Sequence, residues 1–227
     1  MALFSITGTL KGVKPLLLSN YKYQHPCEPL YKLKAPISKK RNKTEEDFVA
    51  LSKLDFLMSG HWLNDDTEDC DVEIDSNGNV SFKGFANPFI PAGMLRASVR
   101  NSSKALGNKK GAAFDRGVQV KDDCPLMYEG SKVCNKMWDE GLYERSRGDR
   151  SGSLIWITRI KIPVDWEIDF QITCDSSQVE ISQLEDMIKG AGRYIGMGSW
   201  RPENGGSYGQ FKLKENSFTK EEIKVDW

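Results

Sequence analysis

The residues with the strongest potential for chemistry lie in the segment 190–211, which reads GAGRYIGMGSWRPENGGSYGQF. Seven of its 22 residues are glycine, so its backbone can adopt positive φ angles and approach a ligand without Cβ clashes. Successive exposed N–H groups in such a loop can form a concave anion site. Arginine adds fixed charge for phosphates, and aromatic rings offer faces on which bases stack. This glycine-rich segment therefore predicts binding to a nucleic-acid backbone through Arg193, Tyr194, Gly196, Gly198, Trp200, Arg201, Gly205, Gly206 and Tyr208.

Two other interpretations of the glycine-rich segment compete with this one. A dinucleotide-binding fingerprint, G-x-G-x-x-G, has to follow a strand and open a helix. Gly190 and Gly192 instead follow a helical pattern, and the third glycine, Gly196, falls one residue late, so the fingerprint is rejected. A glycine-rich connection between a helix and a final strand, with no ligand, stays open because glycine is ordinary in turns.

A second basic motif lies in the segment 87–107, which reads NPFIPAGMLRASVRNSSKALG. Pro91 and Gly107 are typical of the first turn and of the end of a helix. The buried stripe of this helix is expected to be Leu95, Val99, Ser102 and Leu106. A second stripe, at i, i+4 spacing, consists of Arg96, Arg100 and Lys104. We expect these cations to bind nucleic acid and the two arginines to face the same groove as the glycine-rich segment; a solvated helix face is the alternative.

Charge is distributed unevenly along a chain of 227 residues whose formal net charge is zero. Hydrophobic residues make up 39% and charged residues 28%, which is typical of a globular protein with a sizeable core. Residues 11–43 contain nine basic residues and one acid, Glu28, whereas residues 65–75 contain seven acids and no base. A nucleic-acid site must therefore come from local asymmetry. The opposite blocks predict head-to-tail contacts between copies of the chain, with solvated loops as the alternative.

The cysteines and the hydropathy pattern indicate the cellular compartment in which the protein is expected to act. The five cysteines are scattered, odd in number and without a C-x-x-C pair, which favours a reducing compartment over a disulfide framework. The start of the chain reads as a strand and not as a secretory leader, and no apolar run approaches the roughly 18 residues that a membrane helix needs. The sequence therefore predicts a cytoplasmic protein with no membrane contact.

Catalytic alternatives have few residues to support them. The potential zinc ligands have spacings that fit no compact zinc pattern, and they are His25, Cys27, His61 and Cys70. The potential Mg²⁺ ligands of a metal-dependent nuclease are Asp65, Asp66, Asp69 and Asp71. A solvated acidic loop is the favoured interpretation of these aspartates. The sequence thus favours a binding protein over an enzyme, and no catalytic residue, metal or cofactor is assigned.

Periodicity predicts the first half of the fold. The mixture of β-branched and aromatic residues over 3–10 predicts a strand. Residues 21–43 are expected to form an extended basic loop. Thr44 and Asp47 form a capping-box-like pair that opens a helix ending at Gly60. This loop, the helix and the acidic segment after it make up a predicted insertion over 21–80.

The second half supplies the remaining elements. Residues 108–152 are expected to be an irregular, thumb-like insertion. Residues 154–162 and 166–174 are predicted to pair as antiparallel strands. A helix over 177–191, a closing strand over 208–213 and an exposed tail with a short helix from Thr219 follow. With the insertions set aside, the order β-α-β-β-α-β predicts an α+β, ferredoxin-like or RRM-like antiparallel sheet with two packed helices and large insertions, in a single domain spanning 1–227.

Two separated motifs resemble those of the RAMP superfamily. Residues 90–100 match the pattern I-P-x-x-x-L-(K/R)-x-x-x-R that opens the first helix of these proteins. Residues 196–211 are similar to the glycine-rich loop that precedes their last strand. The resemblance covers residues 87–213, and the insertion Trp200-Arg201-Pro202 is a departure from it.

The resemblance implies a backbone subunit of a CRISPR-type ribonucleoprotein. Such subunits are RRM-like, line up in several copies along an RNA, and reach toward a neighbour with a thumb hairpin. The implied partners are single-stranded RNA, copies of the chain itself and other ribonucleoprotein subunits. The chain is also similar to small RAMP-like proteins of phages, so a phage-encoded single-stranded DNA-binding protein stays open. A metal-dependent endoribonuclease that uses a loop aspartate stays open as well. Phosphate contacts carry no 2′-OH information, so the sequence does not separate RNA from DNA.

Overall fold

The structure is a computed structural model that describes residues 2–63, 70–75, 78–107, 111–150 and 153–224. The chain forms two compact units, each assembled from segments that are separate in sequence. The first unit comprises Met1–Leu16, Ile90–Tyr128 and Pro163–Trp227. The second unit comprises Leu17–Phe89 and Glu129–Ile162.

Helices and strands of the described residues are numbered in chain order. The helices are α1 (Pro29–Lys39), α2 (Glu45–Ser59), α3 (Ala92–Ala105), α4 (Gly111–Gly117), α5 (Cys134–Asp139) and α6 (Ile181–Gly190). The strands are β1 (Leu3–Gly12), β2 (Leu16–Leu17), β3 (Asp71–Ile74), β4 (Val80–Lys83), β5 (Phe89–Ile90), β6 (Val118–Val120), β7 (Cys124–Pro125), β8 (Tyr143–Arg150), β9 (Ser153–Ile162), β10 (Glu167–Asp175), β11 (Phe211–Leu213) and β12 (Thr219–Ile223). No described helix combines the length and the apolar character needed to cross a bilayer.

An antiparallel sheet with the strand order β11-β1-β10-β6 forms the basis of the first unit. β1 pairs with β10 from Leu3 opposite Asp175 to Lys11 opposite Glu167. β12 pairs with the first half of β1, on the same side as β11. The chain passes through β1, α3, β6, β10, α6 and β11, which is the order β-α-β-β-α-β. The predicted α+β, ferredoxin-like class is therefore confirmed.

One face of this sheet is buried by α3 and α6. Successive side chains of a strand point to opposite faces, and the alternate residues Ile6, Leu10, Ile168 and Ile172 are fully buried. α3 contacts β6, α6 contacts β11, and the two helices pack against each other. The Ser102 hydroxyl of α3 donates to a backbone carbonyl of α6 at 2.7 Å. The helices therefore hold the start of the glycine-rich segment on the covered side of the sheet.

The second strand of the sheet is not the one predicted from sequence. Residues 154–162 are expected to pair with 166–174, but β9 pairs with β8 in the second unit, and β6 lies beside β10 instead. The predicted turn between β9 and β10 therefore does not join two paired strands. Its residue Asp165, at φ 64°, instead donates its N–H to Gly12 O at the end of β1, at 3.1 Å. Alternation indicates a strand without identifying its partner, and β6 has only three residues, too few to show a pattern.

Two segments predicted to lack regular structure contain helices and strands. α1 lies within the predicted basic loop, where Pro29 at its start and Pro36 inside it obscure the helical pattern. The described residues of 108–152 contain α4, β6, β7, α5 and β8, so the prediction of an irregular insertion is wrong there. These five elements have two to eight residues each, which is too short for periodicity to be visible. The predicted tail helix is likewise replaced by β12.

The helix predicted from Thr44 is confirmed as α2 of the second unit. The Thr44 hydroxyl accepts from Asp47 N–H at 3.3 Å, and the Asp47 carboxylate accepts from Thr44 N–H at 3.1 Å, which completes a capping box. The acidic segment behind this helix is described only in part. Asp71 begins β3, whereas Asp65, Asp66 and Asp69 lie outside the described residues.

Replacing Ile172 with alanine should lower the free energy of unfolding by about 2–5 kcal/mol, the range found for truncating a buried isoleucine. Ile172 is fully buried and lies on β10 between β1 and β6. Thr173→Ala, on the opposite face of the same strand, is the matched control and should cost less than about 1 kcal/mol. Urea unfolding measures both values. Equal losses would contradict the assignment of the two faces.

Candidate nucleic-acid interface

The glycine-rich segment begins with a π-helical turn that continues α6. Residues Ala191–Ile195 form this turn, and Gly196 N–H closes it by donating to Ala191 O at 2.8 Å. A Cβ on Gly192 would lie 2.0 Å from Phe211 O, so only glycine lets the turn pack against β11. Isolated π-helical turns are frequent at functional sites.

Residues 196–209 then close on themselves through backbone contacts. Met197 N–H donates to Gly209 O, and Tyr208 N–H donates to Trp200 O, each at 3.0 Å. A Cβ on Gly206 would lie 1.8 Å from Trp200 O, and a Cβ on Gly209 would lie 1.9 Å from Met197 O. Both glycines are therefore required by the fold of the loop itself. The number of glycines in this loop therefore does not by itself indicate a ligand. The alternative interpretation, a glycine-rich connection without a ligand, predicts the same glycines.

Arg201 is engaged inside the loop and not directed to solvent. Its Nε and Nη2 donate to Glu203 Oε2 at 2.9 and 2.7 Å, and its Nη1 donates to Gly198 O at 3.0 Å. Glu203 in turn accepts from Asn101 Nδ2 of α3 at 2.9 Å, and Ser98 Oγ of α3 donates to the Gly196 carbonyl at 2.8 Å. Arg201 and Glu203 together therefore position the loop on α3, and the charge of the guanidinium is offset by Glu203.

The other predicted loop residues occupy positions of three kinds. Gly196 and Gly198 are buried at φ 73° and 74°, in the left-handed region that favours glycine. Gly205 is exposed at φ 76°, where a side chain would meet open space. Tyr208 is half-buried. These residues shape the backbone around a smaller exposed group.

That exposed group comprises Arg193, Tyr194 and Trp200. The Arg193 guanidinium lies 5.2 Å from the centre of the Tyr194 ring, and within the described part of the chain it has no carboxylate partner. Tyr194 and Trp200 are each 44% exposed. The loop therefore presents one available cation and two aromatic faces at the surface.

Backbone donors accompany this exposed group. Between residues 198 and 201, four successive N–H groups find no acceptor among the residues that the structure describes. Positive φ angles at Gly198 (74°) and Trp200 (53°) alternate with the ordinary φ of Arg201 (−76°). Residues of the left-handed region in a turn can bring consecutive N–H groups toward one ligand. The segment therefore offers backbone donors beside the exposed side chains.

The α3 arginines do not face this loop, contrary to the sequence-based expectation. Arg100 Nε and Nη2 each donate to an Asp115 carboxylate oxygen at 2.7 Å, and Arg96 Nη2 donates to the same carboxylate at 3.3 Å. Ser98 and Asn101, which do contact the loop, lie about 100–160° around α3 from the two arginines at 3.6 residues per turn. The i, i+4 spacing shows that the arginines share a face but does not show which neighbour that face meets.

The arginine–aspartate cluster fastens α4 to α3. The hydrogen bond from Arg100 lowers the pKa of Asp115, and the same bond raises the pKa of Arg100. Arg96 also donates to Val118 O at 3.2 Å and lies over the buried Phe114 ring at 5.5 Å. Lys104 is exposed and has no ion pair within the described residues. Direct contact of these three cations with nucleic acid stays a prediction.

The uncovered face of the sheet is polar and carries its own hydrogen bonds. Thr9 Oγ1 donates to Asp169 Oδ1 at 2.6 Å, and Gln171 Nε2 donates to Ser5 Oγ at 2.8 Å. RRM modules bind RNA on this face through aromatic side chains. Among the described residues of β1, β6, β10, β11 and β12, none of those on this face is aromatic. The candidate interface therefore lies on the side of the helices and the loop.

No group of three or more metal-ligating side chains lies close enough to hold an ion in the part of the chain that the structure describes. His25 Nδ1 accepts from Cys27 N–H at 3.3 Å, and His61 Nε2 lies 3.0 Å from Ser19 O. Each of the two histidines therefore has a backbone group as its neighbour. Buried Cys124, whose pKa burial raises to about 12, is unsuited to thiolate chemistry.

An aromatic and basic surface in the second unit was missed by the sequence analysis. Trp156 of β9 is 65% exposed and lies opposite Arg147 of β8 in the ladder. On the same strand, the Arg145 guanidinium lies 5.1 Å from the Tyr143 ring. The alternation of Tyr143 and Arg145 along β8 is the signal that could have identified this surface.

Comparisons with known proteins give low-similarity structural matches. No protein-family model matches the chain, and no curated protein matches it. It is similar, with a TM-score of 0.44 and 13% identity, to a chain in the cryo-EM structure of the Type III-B Cmr-beta bound to cognate target RNA. That match covers 98% of this chain and 61% of the other, so this chain spans less than two thirds of that relative's length. It is also similar to Cmr6 from Pyrococcus furiosus, with a TM-score of 0.40, 11% identity and coverages of 93% and 98%. The strand order and register of the first unit by themselves define its ferredoxin-like fold.

Replacing Asp115 with asparagine should lower the free energy of unfolding at neutral pH, because two guanidinium groups lose their carboxylate partner. The folded-state pKa of Asp115 is depressed below its ordinary value of 3.8, so its contribution is complete above that pH. The contribution is lost as pH falls through the lowered pKa, and the difference from wild type should shrink in acid. Urea unfolding at neutral and acidic pH measures this. Asp122→Asn, at an exposed position on the same unit, is the control. A D115N variant as stable as D122N at neutral pH would contradict a stabilising role for the arginine–aspartate cluster between α3 and α4.

Proposed function

We propose that this chain is a sequence-independent single-stranded nucleic-acid-binding subunit that assembles in several copies along the strand, with RNA as the favoured ligand. One observation carries the proposal. The exposed Arg193 guanidinium, unpaired within the described residues, belongs to the same loop as four successive backbone N–H groups without acceptors.

The chemistry of these donors determines what they can bind. A guanidinium offers a planar fork that matches phosphate oxygens, and aligned backbone N–H groups add donors at no cost in side-chain entropy. Glu203, a carboxylate that could repel a phosphate, is already neutralised by Arg201 at 2.7 Å. The donors contact the backbone and not base edges, which is why binding is proposed to be independent of sequence.

The choice of RNA depends on the resemblance of residues 90–100 and 196–211 to RAMP-superfamily motifs. The same resemblance supports a place in a CRISPR-type ribonucleoprotein, with other subunits as partners. Phosphate contacts do not sense the 2′-OH, so these contacts alone do not decide between RNA and DNA. Comparing the affinities for RNA and DNA single strands of the same sequence separates an RNA-binding protein from a DNA-binding one.

Replacing Arg193 with alanine should weaken binding to single strands of any sequence. Each lost phosphate contact removes about 0.7 from the slope of log affinity against log salt concentration. Fluorescence anisotropy over a salt series measures affinity and slope together. Lys212→Ala is the matched control, because it removes one charge from an exposed residue of the uncovered sheet face. A variant R193A with the slope and affinity of K212A would contradict the proposed site.

Assembly is predicted to proceed one subunit at a time along the strand. The basic block 11–43 supports head-to-tail contacts less strongly than its sequence suggests, since Lys34 pairs with Asp55 and Lys40 with Asp47 in the second unit. Its remaining cations, together with the acidic block, are the proposed contact surfaces. Sedimentation with single strands of increasing length should show the mass rising in steps of one subunit. One protein per strand at every length would rule out assembly.

A further inference from the structure

Trp200 has a backbone conformation that is unusual for its size. Four described residues other than glycine have positive φ: Asn87, Asp165, Trp200 and Asn216. Three of them are Asn or Asp, which tolerate the left-handed region because their short side chains bond locally. Trp200, at φ 53°, is the exception. A bulky residue in this region is strained, and strain of this kind concentrates at functional sites.

The loop backbone holds Trp200 in this conformation. Its carbonyl accepts from Tyr208 N–H at 3.0 Å. Gly206 lies so close that a Cβ there would be 1.8 Å from Trp200 O and 2.7 Å from Trp200 Cα. These contacts would be equally available to glycine or asparagine at position 200, with less strain. The fold of the loop therefore does not explain why tryptophan occupies the position.

The indole itself is directed to the surface. Trp200 as a whole is 44% exposed, so a large aromatic residue is in contact with water at the surface of the loop. Arg193 and Tyr194, which are also exposed, belong to the same segment. The backbone N–H of Trp200 has no acceptor among the described residues. One residue thus offers a donor suited to phosphate and a ring face suited to a base.

We propose that the Trp200 indole stacks on an unpaired nucleobase, so that this residue makes the site selective for single strands over duplexes. The inference rests on the proposed function, because it requires the phosphate contacts to bring a strand to the loop. Every base has a π face, so stacking discriminates unpaired from paired bases without reading their sequence. In a duplex the base faces are already stacked on one another and are closed to the ring.

Two variants at position 200 test this proposal. Trp200→Asn removes the ring and keeps a residue that tolerates positive φ. Trp200→Phe keeps a ring face. Three probes of one length are used: a mixed-sequence RNA single strand, a strand of the same sugars and phosphates without bases, and a duplex. W200N should bind the single strand about tenfold more weakly, the effect expected for one lost base–aromatic stack, and W200F within about threefold of wild type. Binding of the abasic strand and of the duplex should stay unchanged in both variants.

The same experiment separates failure of this inference from failure of the proposed function. W200N with wild-type affinity for the single strand, or with equal losses on the single and abasic strands, would overturn the stacking role. The R193A variant should bind both the single strand and the abasic strand more weakly than wild type does. If R193A bound both strands with wild-type affinity, the proposed function would be overturned whatever the result for Trp200. The thermal midpoint of W200N should match or exceed that of wild type, because the substitution relieves strain. A lowered midpoint would show that the indole is needed for the fold.

Discussion

Close approach of one backbone to another in the glycine-rich segment is the constraint on which the candidate interface depends. At Gly192, Gly206 and Gly209, a Cβ would lie within 2.0 Å of a backbone carbonyl oxygen, so any other residue would displace a strand or open the loop. These three contacts tie the segment to β11 and fold it on itself. The glycines therefore supply rigidity here, although glycine is usually associated with flexibility. A rigid loop holds the exposed side chains and backbone donors in place before any ligand arrives, which reduces the entropy lost on binding.

If the chain binds a nucleic-acid strand as proposed, the distribution of arginine partners limits how tightly a single copy binds. Arg96 and Arg100 are committed to Asp115, and Arg201 is committed to Glu203. The charge of each guanidinium is therefore offset by a neighbouring carboxylate. Few phosphate contacts per copy then imply modest affinity and a shallow dependence on salt. Several copies on one strand would raise the overall affinity without any further contact within each copy, so modest single-site binding and assembly along a strand are physically consistent.

The sequence predicted the local features of the fold better than its long-range partners. The capping pair of Thr44 and Asp47 and the class of the sheet could be predicted, because caps and periodicity are local signals. The pairing of β10 with β6 could not be predicted, since an alternating segment is compatible with any partner edge. The arginine stripe of α3 was visible from spacing, but its partner Asp115 lies on α4, within a stretch that shows no periodicity. In the glycine-rich segment, composition could not separate the residues that build the loop from those that it exposes.

The polar face of the sheet shows why the fold class alone is a poor guide to function. In RRM modules that face is the binding surface, because its aromatic side chains stack on bases. Here the corresponding strands carry hydroxyl, amide and carboxylate groups bonded to one another, as between Thr9 and Asp169. A nucleic-acid strand on this face would have to displace those bonds and approach fixed negative charge. The same sheet therefore serves as a support whose buried side positions α6 and the loop, and function has to be argued from the loop.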